Sequence, residues 1–278
     1  MGIGRHGRAL RSGDLVEVRS ATEILATLDP DGSLEAVPFM PEMLQHVGRR
    51  FTVSRRVEKI CDTAGATSSS RRMRRTVFLE DLRCDGAGHG GCQAGCRLYW
   101  KEEWLRRVGV DSEQPEPDAA GRAELESLAR AGTRTRRELD GKEVATYRCQ
   151  ATEAPAASEP LRGFDARQYL REVACGNVGP IHAVWVLGRA VGRGVLRRLG
   201  LRSNQQLRPR ETAAAPEPER LDLQPGELVQ VRSKAEIAAT LDASGKNRGL
   251  WFDVEMVPHC GRTYRVQGRV ERFRRHCV

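Results

Sequence analysis

Three cysteines lie close together in the segment Cys84–Cys96, which reads CDGAGHGGCQAGC. Cys84, Cys92 and Cys96 are spaced as C-x7-C-x3-C, and five of the intervening residues are glycines. Glycine allows the backbone to fold tightly around a small object and brings N–H groups close to sulfur. Thiolates are preferred ligands of zinc ions and iron–sulfur clusters. The segment therefore predicts a cysteine-ligated metal centre.

Cys61 is the predicted fourth ligand of this centre, because a hairpin through the run TVFLEDL that begins at Thr76 would return the chain to it. Four thiolates suit either tetrahedral zinc or an iron–sulfur cluster. The spacing lacks the paired C-x-x-C of common zinc ribbons, and it also matches no standard ferredoxin pattern. The sequence leaves the choice between zinc and an iron–sulfur cluster open.

Three further residues are candidates for catalysis or for completing the site. His89 could replace Cys61 as a ligand, although a histidine in a glycine loop is as often merely solvated. Cys149, in the run YRCQATE, could be a further thiol near the metal, a nucleophile facing a substrate, or a half-buried small residue. Glu153 follows it and is the third catalytic candidate. A redox pair, a catalytic thiol or inert buried cysteines remain alternatives to a metal.

The other cysteines and the segment that follows the cluster have simpler interpretations. Cys175, Cys260 and Cys277 have no partner at ligand spacing and are interpreted as structural or surface thiols. The segment Leu98–Val108 is predicted to be a helix whose positive N-terminal end would stabilise a Cys96 thiolate. Its two tryptophans, four residues apart, would pack the helix against the rest of the protein.

Composition limits the classes of function. The chain has 46 basic and 37 acidic residues, but the arginines are scattered and aromatic residues make up only 5%. Nucleic-acid binding is therefore possible but not favoured, since aromatic stacking surfaces are scarce. We expect no membrane span and no secretory signal, and hence a cytoplasmic location in which cysteines serve as ligands rather than disulfides. A protein partner or a small-molecule substrate is the expected ligand.

An internal repeat organises the chain. The run GDLVEVRS that starts at Gly13 aligns with GELVQVRS that starts at Gly226, a shift of 213 residues. The alignment continues without a gap to Glu58 and Glu271, with roughly 22 of about 46 positions identical. A repeat of this length indicates duplication, and it must be recognised before a fold is assigned.

Each copy predicts the same small β module. An alternating strand comes first, a capping-box helix begins after Ser20 or Ser233, a glycine turn follows, and a second alternating strand comes after Gly48 or Gly261. Short strands with glycine turns favour a curled barrel of the SH3-like kind. The predicted fold class is therefore α+β, with two SH3-like β-barrel modules that flank a cysteine-rich segment and helices.

The predicted organisation has five parts along the chain. They are the first β module (10–60), a cysteine-rich metal-site segment with a helix (61–110), a helical and irregular middle region (119–205), a linker rich in proline and charge (206–224) and the second β module (225–278). Within the middle region, helices are predicted over Ala123–Leu139, with an interruption at Gly132, and over Ala166–Ala174. Trp185–Leu201 is either a basic amphipathic helix or a core helix broken by its glycines.

Several phrases of the sequence resemble a family of uncharacterised bacterial proteins. These phrases are GD-x-VEVRS from Gly13, LRCDG-x-x-HGGCQAGC from Leu82, YRCQATE from Tyr147 and WFD-x-EM from Trp251. The resemblance covers most of the chain and implies a shared site but no transferable activity. Family members continue into another cysteine-bearing segment after the second module, so the resemblance implies that the second half here is either degenerate or cut short.

Two functions follow from these patterns. In the first, the metal centre stabilises a binding or accessory protein whose modules contact a partner. In the second, the protein is a zinc- or iron–sulfur-dependent enzyme of a bacterial biosynthetic pathway, with substrate bound beside the cysteine cluster. Four cysteine ligands would favour the first function, whereas three ligands and an open position would favour the second. Whether the protein is an enzyme is left undecided.

Overall fold

The computed structural model describes residues 8–61, 70–109, 118–139, 142–162, 165, 167–198, 221–242 and 245–271. It is a mixed helix and strand protein, so the predicted α+β class is confirmed. The chain divides into two compact units, with the boundary between Val186 and Leu187. Over the described ranges, no helix combines the length and the apolar character that crossing a membrane requires.

The first unit contains twelve described strands and five α-helices, the last of which crosses the unit boundary. The strands are β1 (Leu15–Val18), β2 (Ser33–Leu34), β3 (Val37–Pro38), β4 (Arg50–Arg56), β5 (Ile60–Cys61), β6 (Ser70–Arg72), β7 (Thr76–Leu79), β8 (Trp100–Lys101), β9 (Leu105–Arg107), β10 (Arg134–Leu139), β11 (Lys142–Tyr147) and β12 (Glu159–Pro160). The helices are α1 (Ala21–Leu25), α2 (Ala119–Thr133), α3 (Gln150–Glu153), α4 (Arg167–Ala174) and α5 (Pro180–Arg198). Single 3₁₀ segments cover Pro41–His46, Ala87–His89 and Glu102–Trp104.

The main sheet of this unit has five strands in the order β8-β7-β4-β1-β9. All four neighbouring pairs are antiparallel, and the register of β4 against β7 shifts between Val53 and Arg55. A bulge of this kind bends a strand and increases its twist. No closed barrel forms in the described residues.

The core lies where this sheet meets α1, α2 and the first 3₁₀ segment. Val16 and Val18 of β1 are fully buried, and Ile24 of α1 is buried beside them. Ser20 accepts the N–H of Glu23 while the Glu23 side chain accepts the N–H of Ser20, so the predicted capping box is present. Trp104 packs edge-to-face on Phe39 with ring centroids 5.3 Å apart.

The predicted helix over Leu98–Val108 is wrong. The segment forms β8, a 3₁₀ turn and β9, and its two strands take up the two edges of the main sheet. Trp100 in β8 and Trp104 at the end of the 3₁₀ turn are both fully buried, so they do not lie along one helical stripe. Tertiary pairing here overrides a local pattern that fitted a helix. As a result, Cys96 has no helix N-terminus behind it.

The cysteine loop connects β7 to β8. Its backbone has positive φ at Gly86, Gly90, Gly91 and Gly95, a conformation that L side chains rarely adopt. A Cβ atom at Gly86 would lie 2.1 Å from the carbonyl oxygen of Cys92. The tight folding that the glycines predicted is therefore present, and Gly86 brings the two ends of the C-x7-C spacing together.

The middle region mixes helices with a hairpin. The helix predicted over Ala123–Leu139 is observed as α2, but it ends at Thr133, and the chain continues into β10, which pairs with β11. The predicted helix at Ala166–Ala174 is observed as α4. α5 runs without interruption through Gly188 and Gly192, although glycine lowers helix stability. Residues 206–220 of the predicted linker (206–224) lie outside the described residues.

The arginines between Arg71 and Arg75 are engaged within the first unit. Arg72 contacts Glu58 at 2.5 Å, Arg74 contacts Glu159 at 2.9 Å, and Arg71 donates to carbonyl oxygens of the segment 155–158. This basic cluster is therefore part of the ion pairing and hydrogen bonding of the fold.

The second unit repeats the first elements of the first unit. It contains β13 (Leu228–Gln230), α6 (Lys234–Ala239), β14 (Lys246–Asn247), β15 (Leu250–Trp251), a 3₁₀ segment (Val254–His259) and β16 (Thr263–Arg265). Each of these elements begins 213 residues after its counterpart in the first copy. The strand register is also the same, because Leu228 is paired with Arg265 as Leu15 is paired with Thr52. The capping box of Ser233 and Glu236 is also present.

The two copies differ sharply in burial. Phe39 and Ile24 are buried in the first copy, whereas their counterparts Phe252 and Ile237 are only half-buried. Leu250 is 76% exposed, although its counterpart Val37 is buried. The second copy therefore forms the same elements without an equivalent core in the described residues.

Candidate metal centre

Glu42, Cys84 and His89 form a compact group whose ligand atoms lie within 4.8 Å of one another. Glu42 lies on the 3₁₀ segment that follows β3, Cys84 follows β7, and His89 ends the short 3₁₀ turn inside the cysteine loop. His89 and Glu42 are buried and Cys84 is half-buried. These three residues could hold a metal ion.

Hydrogen bonds fix the orientation of the histidine ring. His89 Nδ1 lies 2.8 Å from Glu42 Oε1, and the same oxygen accepts the N–H of Gly88 at 2.9 Å. A carboxylate at Nδ1 holds the proton there and leaves Nε2 with its lone pair, which is the arrangement found around metal-bound histidines. Nε2 in turn faces Cys84 Sγ at 3.8 Å.

This separation fits two ligands of one ion. With Zn–N and Zn–S bonds of ordinary length and a tetrahedral angle, the two ligand atoms would lie about 3.6 Å apart. The thiol of Cys84 also contacts Glu42 Oε1 at 3.8 Å. The second carboxylate oxygen, Oε2, is buried without a hydrogen-bond partner. Such an atom needs an explanation, and a nearby cation would provide one.

Electrostatics at the site favour a charged carboxylate and neutral thiols. Burial raises the pKa of Glu42, but hydrogen bonds from His89 and from the backbone outweigh it, so the pKa is lowered overall. Burial raises the pKa of Cys84, and the negative charge of Glu42 raises it further. Burial and the neighbouring Cys149 and Cys92 raise the pKa of Cys96. The predicted dipole-stabilised thiolate at Cys96 is therefore wrong, since its pKa is raised and no helix follows it.

A cavity of about 590 Å³ opens beside the group. The lining includes four of the eight cysteines, together with His89 and Glu153. The four are Cys84, Cys92, Cys96 and Cys149. Arg97, Arg136 and Arg148 contribute positive charge to its wall, and Met40 and Leu98 contribute apolar surface. The volume is that of a small-molecule site. Cysteines that are far apart in sequence are therefore brought to one cavity.

The structure positions most of the predicted site residues around this cavity. Cys149 occupies the N-cap position of α3, and Glu153 at the end of α3 forms an ion pair with Arg148 at 3.3 Å. The side chain of Cys61 lies outside the described residues, so its role as a ligand stays a prediction. Cys175 and Cys260 are free thiols that do not line the cavity, and Cys277 lies outside the described residues.

Sequence reasoning missed Glu42. The residue is 42 positions before Cys84, so no spacing rule connects them. Its signal was local, because it is the only charged residue in the run FMPEML that begins at Phe39. A lone carboxylate in an apolar run is expected to be buried, and a buried carboxylate needs partners.

Searches of the chain against protein-family models, curated proteins and solved structures find no match. The fold and the candidate centre therefore rest on the residues of this chain alone.

Proposed function

We propose that this protein binds a metal ion at the wall of the cavity, with Cys84 Sγ and His89 Nε2 as two of its ligands. Glu42 is not a ligand in this proposal, but its carboxylate orients His89 through Nδ1. The remaining ligands are thiolates drawn from Cys92, Cys96 and Cys149. The observation that carries the proposal is the pair of contacts on the His89 ring, with a carboxylate on Nδ1 and a thiol facing Nε2. This pattern corresponds to the outer carboxylate, histidine and metal arrangement of known metal sites.

Zinc is the favoured metal, because a mixed set of sulfur and imidazole ligands suits a tetrahedral zinc ion. An iron–sulfur cluster is the second candidate, and the observation in its favour is that four cysteines line the same cavity. The six cysteines whose side chains the structure describes form no disulfide, which leaves those at the cavity available as metal ligands.

The cavity supports a role in small-molecule binding or conversion more than a purely structural role. A structural zinc site is closed by four protein ligands, whereas a catalytic site keeps an open position beside a substrate cavity. Because His89 supplies one metal ligand, fewer thiolates are needed for coordination. Cys149 on the cavity wall could then contact a bound molecule instead of the metal. Arg136 and Arg148 of the wall are paired with Glu143 and Glu153, so an acidic group on the bound molecule would pair with Arg97.

The scaffold of the first copy is proposed to be an SH3-like module that is completed by the cysteine-rich segment. The support is the strand order, the bulge in β4, and the single 3₁₀ turn between the two edge strands. In this proposal the module extends to β9, and the cysteine loop is an insertion between β7 and β8.

The test is metal analysis of protein purified without oxygen, together with its absorption spectrum. We expect about one zinc per chain and no visible absorption in the zinc form, or iron with labile sulfide and a brown colour in the cluster form. Cys84→Ser and His89→Gln are expected to abolish stoichiometric metal. Glu42→Gln is expected to weaken metal affinity by about 10- to 100-fold, because it acts through His89.

Cys175→Ser is the matched control, since Cys175 is a buried thiol of the same unit that does not line the cavity. It should retain the metal of the unmodified protein. The proposal fails if the purified protein contains no metal, or if Cys84, Cys92 and Cys96 can be changed to serine together without loss of metal.

A further inference from the structure

The two copies of the repeat differ in what covers the first strand. In the first copy, one edge of β1 pairs with β4 and the other edge pairs with β9. In the second copy, one edge of β13 pairs with β16, which is the counterpart of β4. In the described residues, no strand pairs with the other edge of β13. That edge therefore offers backbone N–H and C=O groups to an added strand.

The first copy shows in detail how such a strand is held. Trp104 donates its indole N–H to Thr27 Oγ1 at 3.0 Å and packs edge-to-face on Phe39. The backbone of Arg19 donates to the Trp104 carbonyl at 2.9 Å. Two residues after Trp104, Arg106 donates to both carboxylate oxygens of Glu23 in α1, at 2.8 and 3.0 Å.

Each residue of the first copy that contacts the Trp104 strand in this arrangement has an identical counterpart in the second copy. Thr27 corresponds to Thr240, Phe39 to Phe252, Arg19 to Arg232 and Glu23 to Glu236. Thr240 also donates its hydroxyl proton to the carbonyl of Ile237, as Thr27 does to that of Ile24, so its oxygen can still accept a hydrogen bond. The groups that receive the tryptophan strand are duplicated, but the strand is not present among the described residues.

An exposed apolar side chain lies on β13 itself. Leu228 is 66% exposed, whereas Leu15 at the corresponding position of β1 is half-buried. Glu236 is exposed, and among the described residues no basic side chain pairs with it as Arg106 pairs with Glu23 in the first copy. A basic residue on an incoming strand would complement this charge.

We propose that the second copy binds one extended strand of a partner protein, in which a tryptophan is followed by an apolar residue and an arginine. The tryptophan packs on Phe252 and donates to Thr240, the following backbone pairs with β13, and the arginine binds Glu236. The site is independent of the metal centre, so the two proposals can fail separately.

The probe is a synthetic peptide with the sequence of residues 98–108, labelled at its N-terminus and titrated with the full chain while its fluorescence anisotropy is recorded. We expect saturable binding. Replacing the peptide tryptophan that corresponds to Trp104 by alanine should weaken binding at least about tenfold, as for a central aromatic anchor. Glu236→Arg in the chain should weaken binding of the original peptide, and an Arg106→Glu peptide should restore part of it.

Thr240→Val and Thr27→Val form the matched pair that locates the site. Thr240→Val should weaken binding, whereas Thr27→Val should leave it unchanged, because the groove of the first copy is filled by its own strand. Glu236 is exposed, but its side chain also accepts the N–H of Ser233 in the capping box, so circular dichroism must show that α6 is retained in the Glu236→Arg variant. The proposal is overturned if the peptide does not bind, if the alanine peptide binds equally well, or if the full chain self-associates through this face and excludes the peptide.

Discussion

The two copies of the repeat have nearly the same elements but very different degrees of burial. Both have a capped helix, a two-strand turn, a 3₁₀ segment and the same register between their first and last strands. Only the first copy has β7, β8 and β9 packed around it in the described structure. The comparison shows that local sequence is sufficient to specify these elements, whereas their core is supplied by later segments of the chain.

The largest expected difference between the copies concerns their matched phenylalanines. Phe39 is buried against Trp104, so Phe39→Ala should lower the free energy of unfolding by about 3–5 kcal/mol. Phe252 is half-buried, and Phe252→Ala should cost about 1 kcal/mol or less. Denaturant titration followed by circular dichroism measures both. Equal losses would mean that the second copy has a core that the described residues do not contain.

The matched helix caps should behave alike. Ser20→Ala and Ser233→Ala each remove the acceptor for the N–H of the glutamate three residues later. Each substitution should cost about 1 kcal/mol of stability in its own unit, because a cap acts locally and does not depend on the surrounding core. Threonine at either position is the control and should retain most of the stability. A loss confined to the first copy would contradict local specification of the helix.

The smallest expected effect is a pH dependence of the first copy. Burial raises the pKa of Glu23, but hydrogen bonding from Ser20 and the charges of Arg106 and Arg19 outweigh it, so the folded pKa lies below the ordinary value. A lowered pKa contributes stability that is present above the unfolded pKa and is lost as pH falls through the folded value. Glu23→Gln should therefore flatten the fall in stability below about pH 4.5.

Denaturant titrations at a series of acid pH values measure this effect. Glu236→Gln is the comparison. Hydrogen bonds from Ser233 lower the pKa of Glu236 too, with a smaller contribution from Arg232. Its effect should be weaker than that of Glu23→Gln, because no counterpart of Arg106 is present beside it in the described residues. If Glu23→Gln left the acid profile unchanged, the ion pair with Arg106 would have no role in stability.

Much of the fold could be predicted, because its signals were local. The alternating strand at Leu15, the cap at Ser20 and the glycine turn are all specified within a few residues, and each is observed. The segment Leu98–Val108 was predicted incorrectly because its tryptophans also fit a helical spacing of four. What decides its structure is pairing with β1 and β7, and those partners lie far away in sequence.

The candidate centre shows the same limit. Cys84 and His89 were candidates from the sequence and belong to the group that could hold a metal ion, whereas Cys92 and Cys96 line the adjacent cavity. The glycines of the loop correctly predicted its tight backbone. Glu42 was missed because it reaches the site from another element. Cys149 was recognised as a candidate, but only the fold places it on the same cavity as Cys84. Contacts between distant segments depend on sheet order, which no short motif encodes.

The position of the cysteine loop between two neighbouring antiparallel strands has an evolutionary consequence. Thr76 pairs with Lys101 and Val77 with Trp100, so β7 and β8 would meet whether their connection were long or short. Because the entropy of closing a loop grows only slowly with its length, a hairpin connection tolerates insertion and loss of whole segments. A scaffold of this kind can acquire, exchange or discard its chemistry while its sheet stays the same.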